Sequence, residues 1–239
     1  MKALILAAGT GSRLMPLTKN TPKSLVKLNG KPMIEHILKA LEQFKLEEFV
    51  IVTGYLHEKI ETYFADRSEK VKFIYNDRYN TAGNCYSMLV AEKYLAGSEF
   101  FKIDSDLIFS AEIAANLLAV KGDVRVTADV KNDMGAEEMK IKIDNSQRIV
   151  DFSKEIPPKE AWGESIGIEF LTSKGGRAVF TALKEMMETG KEMGYYEEAY
   201  GMVARNQGIV TAVPLPPKAP WIEIDNQIDL KAAHKLFAD

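Results

Sequence analysis

Two hydrophobic rhythms divide the chain. The first half alternates short unbroken apolar runs with segments of helical spacing. Ala3-Leu-Ile-Leu-Ala-Ala8 ends at Gly9 and Gly11, as a fully buried parallel strand does where it feeds a loop. From Pro32, apolar residues recur at Ile34, Ile37, Leu38, Leu41 and Phe44, a helical stripe with proline near its first turn. Phe49–Thr53 predicts a second buried strand, stopped by Gly54. Ile60, Tyr63 and Phe64 mark a second helix, Val71–Tyr75 a third strand and Tyr86–Leu95 a third helix. Glu99–Ile103 predicts a fourth strand that ends at Asp104-Ser-Asp106. Strands alternating with helices of about ten to fifteen residues imply βαβ units and a parallel sheet.

The second half changes period. Val124, Val126, Ala128 and Val130 alternate with other residues, as do Met139, Ile141 and Ile143, and Asp144-Asn145 offers a turn before Arg148–Phe152. Period-two patterning with tight turns predicts antiparallel strands with one wet face. Arg177–Thr189 and Tyr195–Asn206 predict helices ending near Gly190 and Gly208. Ile209–Val213 and Trp221–Ile224 predict closing strands, and Ile228–Phe237 a last helix. The expected fold is α/β: a Rossmann-like, mostly parallel mixed sheet flanked by helices, with an antiparallel elaboration in the second half. No linker or repeat interrupts the pattern, so residues 1–239 are expected to form a single domain.

Composition narrows function more than fold. The 239 residues carry 31 Lys+Arg against 34 Asp+Glu, a net charge of −3, which argues against a nucleic-acid partner. Apolar residues make up 46%, an ordinary globular proportion at a length that needs neither disulfide nor structural metal. Cys85 is the only cysteine and His36, His57 and His234 are dispersed, so neither an intrachain disulfide nor a zinc site is expected. Ala3–Ala8 is too short for a signal-peptide core, and no segment approaches about eighteen apolar residues. The expectation is a soluble cytoplasmic protein with no membrane partner. Oligomeric state stays open, a homodimer included.

In an open α/β sheet, ligands sit at the carboxyl ends of the strands. The first such end reads Leu6-Ala7-Ala8-Gly9-Thr10-Gly11-Ser12-Arg13, with Pro22-Lys23 beyond. Small residues let backbone N–H groups approach an anion, and Arg13 and Lys23 would supply the positive charge a triphosphate needs. A glycine pair alone is as often a plain turn. Leu14 and Pro16 disfavour a dinucleotide fingerprint, and the Walker A spacing is absent. By itself, Asp104-Ser-Asp106 reads as a solvated turn or a helix N-cap before Ala111.

The whole stretch Leu6–Lys23, with Leu14, Pro16-Leu17-Thr18 and Pro22-Lys23-Ser24-Leu25 in register, resembles the signature of the nucleotidyltransferase superfamily. Its members activate sugar phosphates and related phosphomonoesters. The resemblance implies that Leu6, Ala7, Ala8, Gly9, Thr10, Gly11 and Ser12 wrap the nucleotide, with Arg13 and Lys23 on its phosphates as the catalytic pair. Gly54 matches a position near the nucleotide, and Gly83-Asn84-Cys-Tyr86-Ser87 the segment that reads a pyrimidine through Asn84 and Ser87; Asp104 is grouped with them. Asp106, by register, and Asp225, in Glu223-Ile-Asp225, match the metal carboxylates, while Glu223 is read as an alternating strand residue. Magnesium suits such a pair because it takes one or two carboxylates plus phosphate oxygens. On this reading residues 1 to about 110 bind the nucleotide and about 111 to 239 the acceptor.

Within the superfamily, Gly54-Tyr-Leu56, Asn84–Ser87, Trp162–Ile168 and Trp221–Asp225 resemble the small phosphocholine cytidylyltransferase-like enzymes. That resemblance implies CMP transfer from CTP to phosphocholine or a related amino-alcohol phosphate or phosphonate, with release of pyrophosphate. A quaternary ammonium needs aromatic faces. Trp162, Tyr195, Tyr196, Tyr200 and Trp221 are candidates, although each is equally readable as core packing. Glu164, Glu197 or Glu198 would supply charge, and Lys154 would hold the acceptor phosphate. A primary ammonium would weigh carboxylates above rings. Two alternatives share the loop: a sugar-1-phosphate or inositol-1-phosphate nucleotidyltransferase using UTP, dTTP or CTP, and a non-catalytic nucleotide-sensing domain. The latter would typically have lost Arg13, Lys23 or a metal aspartate, and all are present here.

Overall fold

The computed structural model describes residues 1–131 and 134–238. In chain order, β1 (Lys2–Ala7) leads through a long loop to a short hairpin, β2 (Lys27–Leu28) and β3 (Lys31–Pro32), and to α1 (Met33–Leu41). Then come β4 (Phe49–Thr53), α2 (His57–Phe64), β5 (Val71–Tyr75), α3 (Asn84–Leu89), α4 (Glu92–Leu95), β6 (Phe100–Asp104), β7 (Leu107–Phe109) and α5 (Ala111–Ala119). The second half adds β8 (Val124–Asp129), β9 (Lys140–Ile143), β10 (Ile149–Ser153), β11 (Gly163–Leu171), α6 (Ser173–Glu188), α7 (Tyr196–Arg205), β12 (Val210–Pro214), β13 (Trp221–Glu223) and α8 (Gln227–Leu236).

Strands β5, β4, β1 and β6 lie side by side and run parallel. Successive residues of β1 enter different cores. Leu4 and Leu6 join one with Val50, Val52 and Met88, whereas Ala3, Ile5 and Ala7 join another with Ile34, Ile37 and Ile51. Both faces are covered, which is why β1 reads as an unbroken apolar run. The chain order reverses between β1 and β6, since β4 and β5 lie on one side of β1 and β6 on the other. That reversal opens a crevice at their carboxyl ends.

Strand β11 joins the two halves, running antiparallel to β6, β8 and β9. The expected hairpin is β9–β10, closed by Asp144. One expectation needs correction: β12 runs parallel to β8, so the second half is not wholly antiparallel. The expected helix Tyr86–Leu95 is also two helices, broken at Val90-Ala91. A single nine-stranded sheet spans both halves. Among the described residues, no helix is long and apolar enough to cross a membrane.

Candidate active site

The loop after β1 is shaped by its small residues. Gly11 sits at φ +63°, and a Cβ there would lie 3.0 Å from both Lys23 Cβ and Thr18 Cγ2. Only glycine combines that backbone with so close an approach. Thr18 Oγ1 donates to the Gly11 carbonyl at 2.8 Å, and the Lys23–Leu25 turn closes beneath. Leu14, fully buried with Val26, Leu28, Ile108 and Ile224, anchors the loop. Arg13 and Lys23, ten positions apart in sequence, are thereby brought to the same carboxylate.

That carboxylate arrives through a small second sheet. β7 pairs antiparallel with β13, placing Glu223 opposite Leu107, and Ile224 N–H donates to the Asp106 carbonyl at 2.9 Å. Carboxylate oxygens of Asp106, Glu223 and Asp225 all come within 4.8 Å of one another. Lys23 Nζ bonds Asp106 Oδ2 at 2.7 Å and Asp225 Oδ1 at 2.8 Å, and Arg13 Nη2 meets Asp225 Oδ2 at 2.8 Å. Burial alone would pull the Lys23 ammonium down, but Asp106 and Asp225 outweigh it and hold it above its ordinary value. Glu223 is open to the cleft yet ringed by protein; that enclosure, with Asp106 and Asp225 adding their charge, pushes its carboxyl up to about 8.

This donor set suits a hard divalent cation. It offers only oxygen, and Asp106 Oδ1 is buried without a hydrogen-bond partner among the described residues. A buried carboxylate oxygen left in that state is costly unless a cation or donor completes it.

The three acids open onto a cleft of about 1030 Å³. Leu6, Ala7, Ala8, Gly9, Gly11, Ser12, Arg13 and Lys23 line one end, and a Cβ on Gly9 would meet nothing within 4 Å. Asn84, Ser87, Asp104, Asp106, Lys154, Glu164, Tyr196, Trp221 and Asp225 line it too. Three expected site residues are not among the lining groups. Thr10 is exposed outside the wall, and Trp162 packs against the core instead. Gly54 is a packing position: a Cβ there would lie 2.6 Å from Tyr79 Cβ and 2.7 Å from the Ala8 carbonyl oxygen.

Asn84 and Ser87 are already engaged by the protein. Asn84 Oδ1 accepts from the Tyr196 backbone N–H at 3.0 Å, capping α7, and Ser87 Oγ accepts from Asn76 Nδ2 at 2.9 Å. Sequence reasoning missed Lys131, Glu138 and Tyr79, which also line the cleft. Lys131 Nζ lies 2.8 Å from Glu164 and 3.7 Å from Glu138. No motif flags such a group, because its members come from separate loops and strands.

A second charge cluster lies behind Asp104. Lys102 and Asp104 share one face of β6, and Glu169 is the residue on β11 directly opposite Lys102. Lys102 Nζ, fully buried, lies 2.8 Å from Asp104 Oδ2 and 3.4 Å from Glu169 Oε2. Tyr196 OH donates to Asp104 Oδ2 at 2.7 Å. Burial pushes the Glu169 carboxyl up to about 8 and that of Glu197 up to about 7; Lys102 opposes the rise and Asp104 adds to it. Asp104 is also raised by burial, despite its bonds from Lys102 and Tyr196.

Comparison with known proteins places these features in a family. The family model described as "Nucleotidyl transferase" matches residues 2–175. A choline-phosphate cytidylyltransferase of Streptococcus pneumoniae is 41% identical over 106 residues, 44% of this chain and 44% of that enzyme. The match therefore spans less than half of that relative. A choline-phosphate cytidylyltransferase of Haemophilus influenzae is 31% identical over 186 residues, 77% of this chain and 75% of its own length. The inositol-1-phosphate CTP transferase of T. maritima shares the fold, with a TM-score of 0.82 at 23% identity over 98% of this chain and 94% of its own.

Proposed function

The chain belongs to the nucleotidyl transferase family, and from that premise we propose that it transfers CMP from CTP to a small acceptor carrying a phosphate or phosphonate and a cationic head. Pyrophosphate is the second product. The observation that carries this reading is the Lys23 ammonium held between Asp106 and Asp225 at the foot of a glycine loop. The similarity to choline-phosphate cytidylyltransferases supports the base and the acceptor class.

An acceptor oxygen attacks the α-phosphorus, a new P–O bond forms, and the bond to the β-phosphate oxygen breaks with its electron pair leaving on pyrophosphate. The nucleophile is already anionic, so the protein need not remove a proton from it. Its work is alignment and neutralisation of charge. Arg13 and the loop amides bind the β and γ groups, where charge builds as the bond breaks. Lys23 neutralises the α-phosphate and holds the incoming oxygen beside it. Asp106 and Asp225, with Glu223 beside them, would hold Mg²⁺, which when bound neutralises phosphate charge and orients the reacting groups. Lys131 and Lys154, both in the cleft wall, are the cations available to the acceptor phosphate.

The deciding experiment is pyrophosphate release with Mg²⁺ across four nucleoside triphosphates and a panel of acceptors. The panel holds phosphocholine, phosphoethanolamine, 2-aminoethylphosphonate, inositol-1-phosphate and glucose-1-phosphate. Turnover confined to CTP with a cationic acceptor is the expected result. Turnover only with UTP or dTTP and a sugar phosphate would overturn the base and acceptor assignments, and nucleotide binding without any turnover would remove the enzymatic reading.

A further inference from the structure

Resting on the cytidylyl-transfer reading above, a narrower question is which cation the acceptor carries. The rings that could face a quaternary ammonium are mostly engaged by the protein itself. Lys102 Nζ lies 3.3 Å from the Tyr196 ring centroid, and Lys154 Nζ lies 4.7 Å from that of Tyr195. Trp162 does not line the cleft and Tyr200 is wholly buried. Trp221 and Tyr79 remain in the cleft wall, but Tyr79 packs on the core beside Gly54 and Trp221 shares β13 with Glu223, so the two do not make a cage. An ammonium with no N–H depends on such faces.

The carboxylates point the other way. Asp104, Glu169 and Glu197 gather about a single buried ammonium, that of Lys102, and Glu169 and Glu197 are pushed towards neutrality, so a second cation beside them would let more of the cluster ionise. Glu197 lines the cleft, is only 6% exposed, and its Oε2 has no hydrogen-bond partner among the described residues. An acceptor bearing N–H donors would relieve that deficit, whereas one without them would leave the oxygen unpaired.

We propose that the acceptor's cationic end is a primary ammonium whose N–H groups bond the Glu197 carboxylate, making Glu197 a specificity-determining residue against N-methylated acceptors. Each methyl group removes one donor, and the trimethyl form has none.

The test measures kcat/KM with CTP and Mg²⁺ for phosphoethanolamine and its N-monomethyl, dimethyl and trimethyl forms. Inositol-1-phosphate and glucose-1-phosphate serve as acceptors with uncharged heads. A stepwise fall is expected, reaching at least about 100-fold between primary and trimethyl acceptors, because a site built to hydrogen-bond N–H groups rejects analogues lacking them. Glu197→Gln should raise KM for phosphoethanolamine by about tenfold and narrow that ratio. Equal or better turnover of the trimethyl acceptor would overturn this inference while leaving CMP transfer to a cationic acceptor standing. Turnover confined to the uncharged-head acceptors would overturn both. The methylation series uses the unaltered protein and decides the matter even if the buried variant fails to fold.

Discussion

The two acid clusters, one in the cleft and one behind Asp104, are held in opposite ways. In the first, Asp106, Glu223 and Asp225 face the cleft and meet two cations of the protein, Lys23 and Arg13. In the second, Asp104, Glu169 and Glu197 surround one fully buried lysine, Lys102, and all three carboxyls are raised by burial, as Glu223 is in the first. Solvent can complete the first cluster, and ions can enter and leave it. The second must be completed by protons or by a ligand, because charge in a dry interior is costly without partners. The first cluster is thus an exchangeable charge site, and the second a fixed one.

The sharpest way to break that contrast is at Lys23. Lys23→Ala should lower kcat by at least about 100-fold, the scale for losing a transition-state charge contact. A loss below about tenfold, with an unchanged circular dichroism spectrum, would remove its catalytic role. The variant also leaves Asp106 facing Asp225 without their shared ammonium. Its melting temperature should therefore rise with added Mg²⁺ more than that of the unaltered protein.

Asp225→Asn should come next, abolishing Mg²⁺-dependent turnover while the fold persists. Since its carboxylate oxygen lies within 4.8 Å of those of Asp106 and Glu223, the variant should also lose most of the Mg²⁺-induced thermal shift. Near-normal rates at saturating Mg²⁺ would assign the metal role to Asp106 and Glu223 instead.

Legibility differed between the clusters for the same physical reason. Gly9, Gly11, Arg13 and Lys23 lie in one continuous stretch after a strand of unmistakable pattern, so both the strand and its loop could be read. What brought Asp225 to them could not. β7 is three residues long, Leu107–Phe109, and its pairing with β13 depends on register across more than a hundred residues. Strand β11, the longest in the sheet, gave no periodic signal, because buried Glu164 and Glu169 interrupt its apolar positions. Glu164 lines the cleft, and Glu169 faces Lys102 behind it. Acids buried within a strand erase the pattern that would have announced it.

The buried cluster predicts a pH signature of its own, beside that of Glu223 in the open one. Glu169 is faced by Lys102, Asp104, Glu197, Tyr196 and Tyr200, and its carboxyl is pushed up to about 8 from an ordinary 4.5. Between those values the folded protein holds a proton that the unfolded chain has released. Stability should therefore be fully present below about pH 4.5 as far as this group is concerned, and decline as pH rises towards 8. The slope from one such proton is at most about 1.4 kcal/mol per pH unit. Glu169→Gln should flatten it, leaving the parts due to Glu197 and Glu223. Urea unfolding at pH 5, 6.5 and 8 would read the difference, and an unchanged slope would show that Glu169 ionises normally.

The smallest expected effect concerns the residue that ties α3 to α7. Asn84 opens α3, but its Oδ1 accepts from the first N–H of α7 and so caps the helix that carries Tyr196 and Glu197. Losing a helix cap costs about 1 kcal/mol, and a displacement of that size corresponds to about a fivefold change in affinity. Asn84→Ala should thus raise KM for the acceptor about fivefold while changing KM for CTP less than about twofold. Asn84→Asp keeps the accepting oxygen and loses only the amide donors, so it should restore the acceptor KM. If Asn84 reads the base instead, the pattern reverses: KM for CTP rises in both variants, and the aspartate gives no rescue because a donor to the pyrimidine has gone. The split between the two KM values therefore decides whether this side chain serves the nucleotide directly or serves the acceptor through the helix it caps.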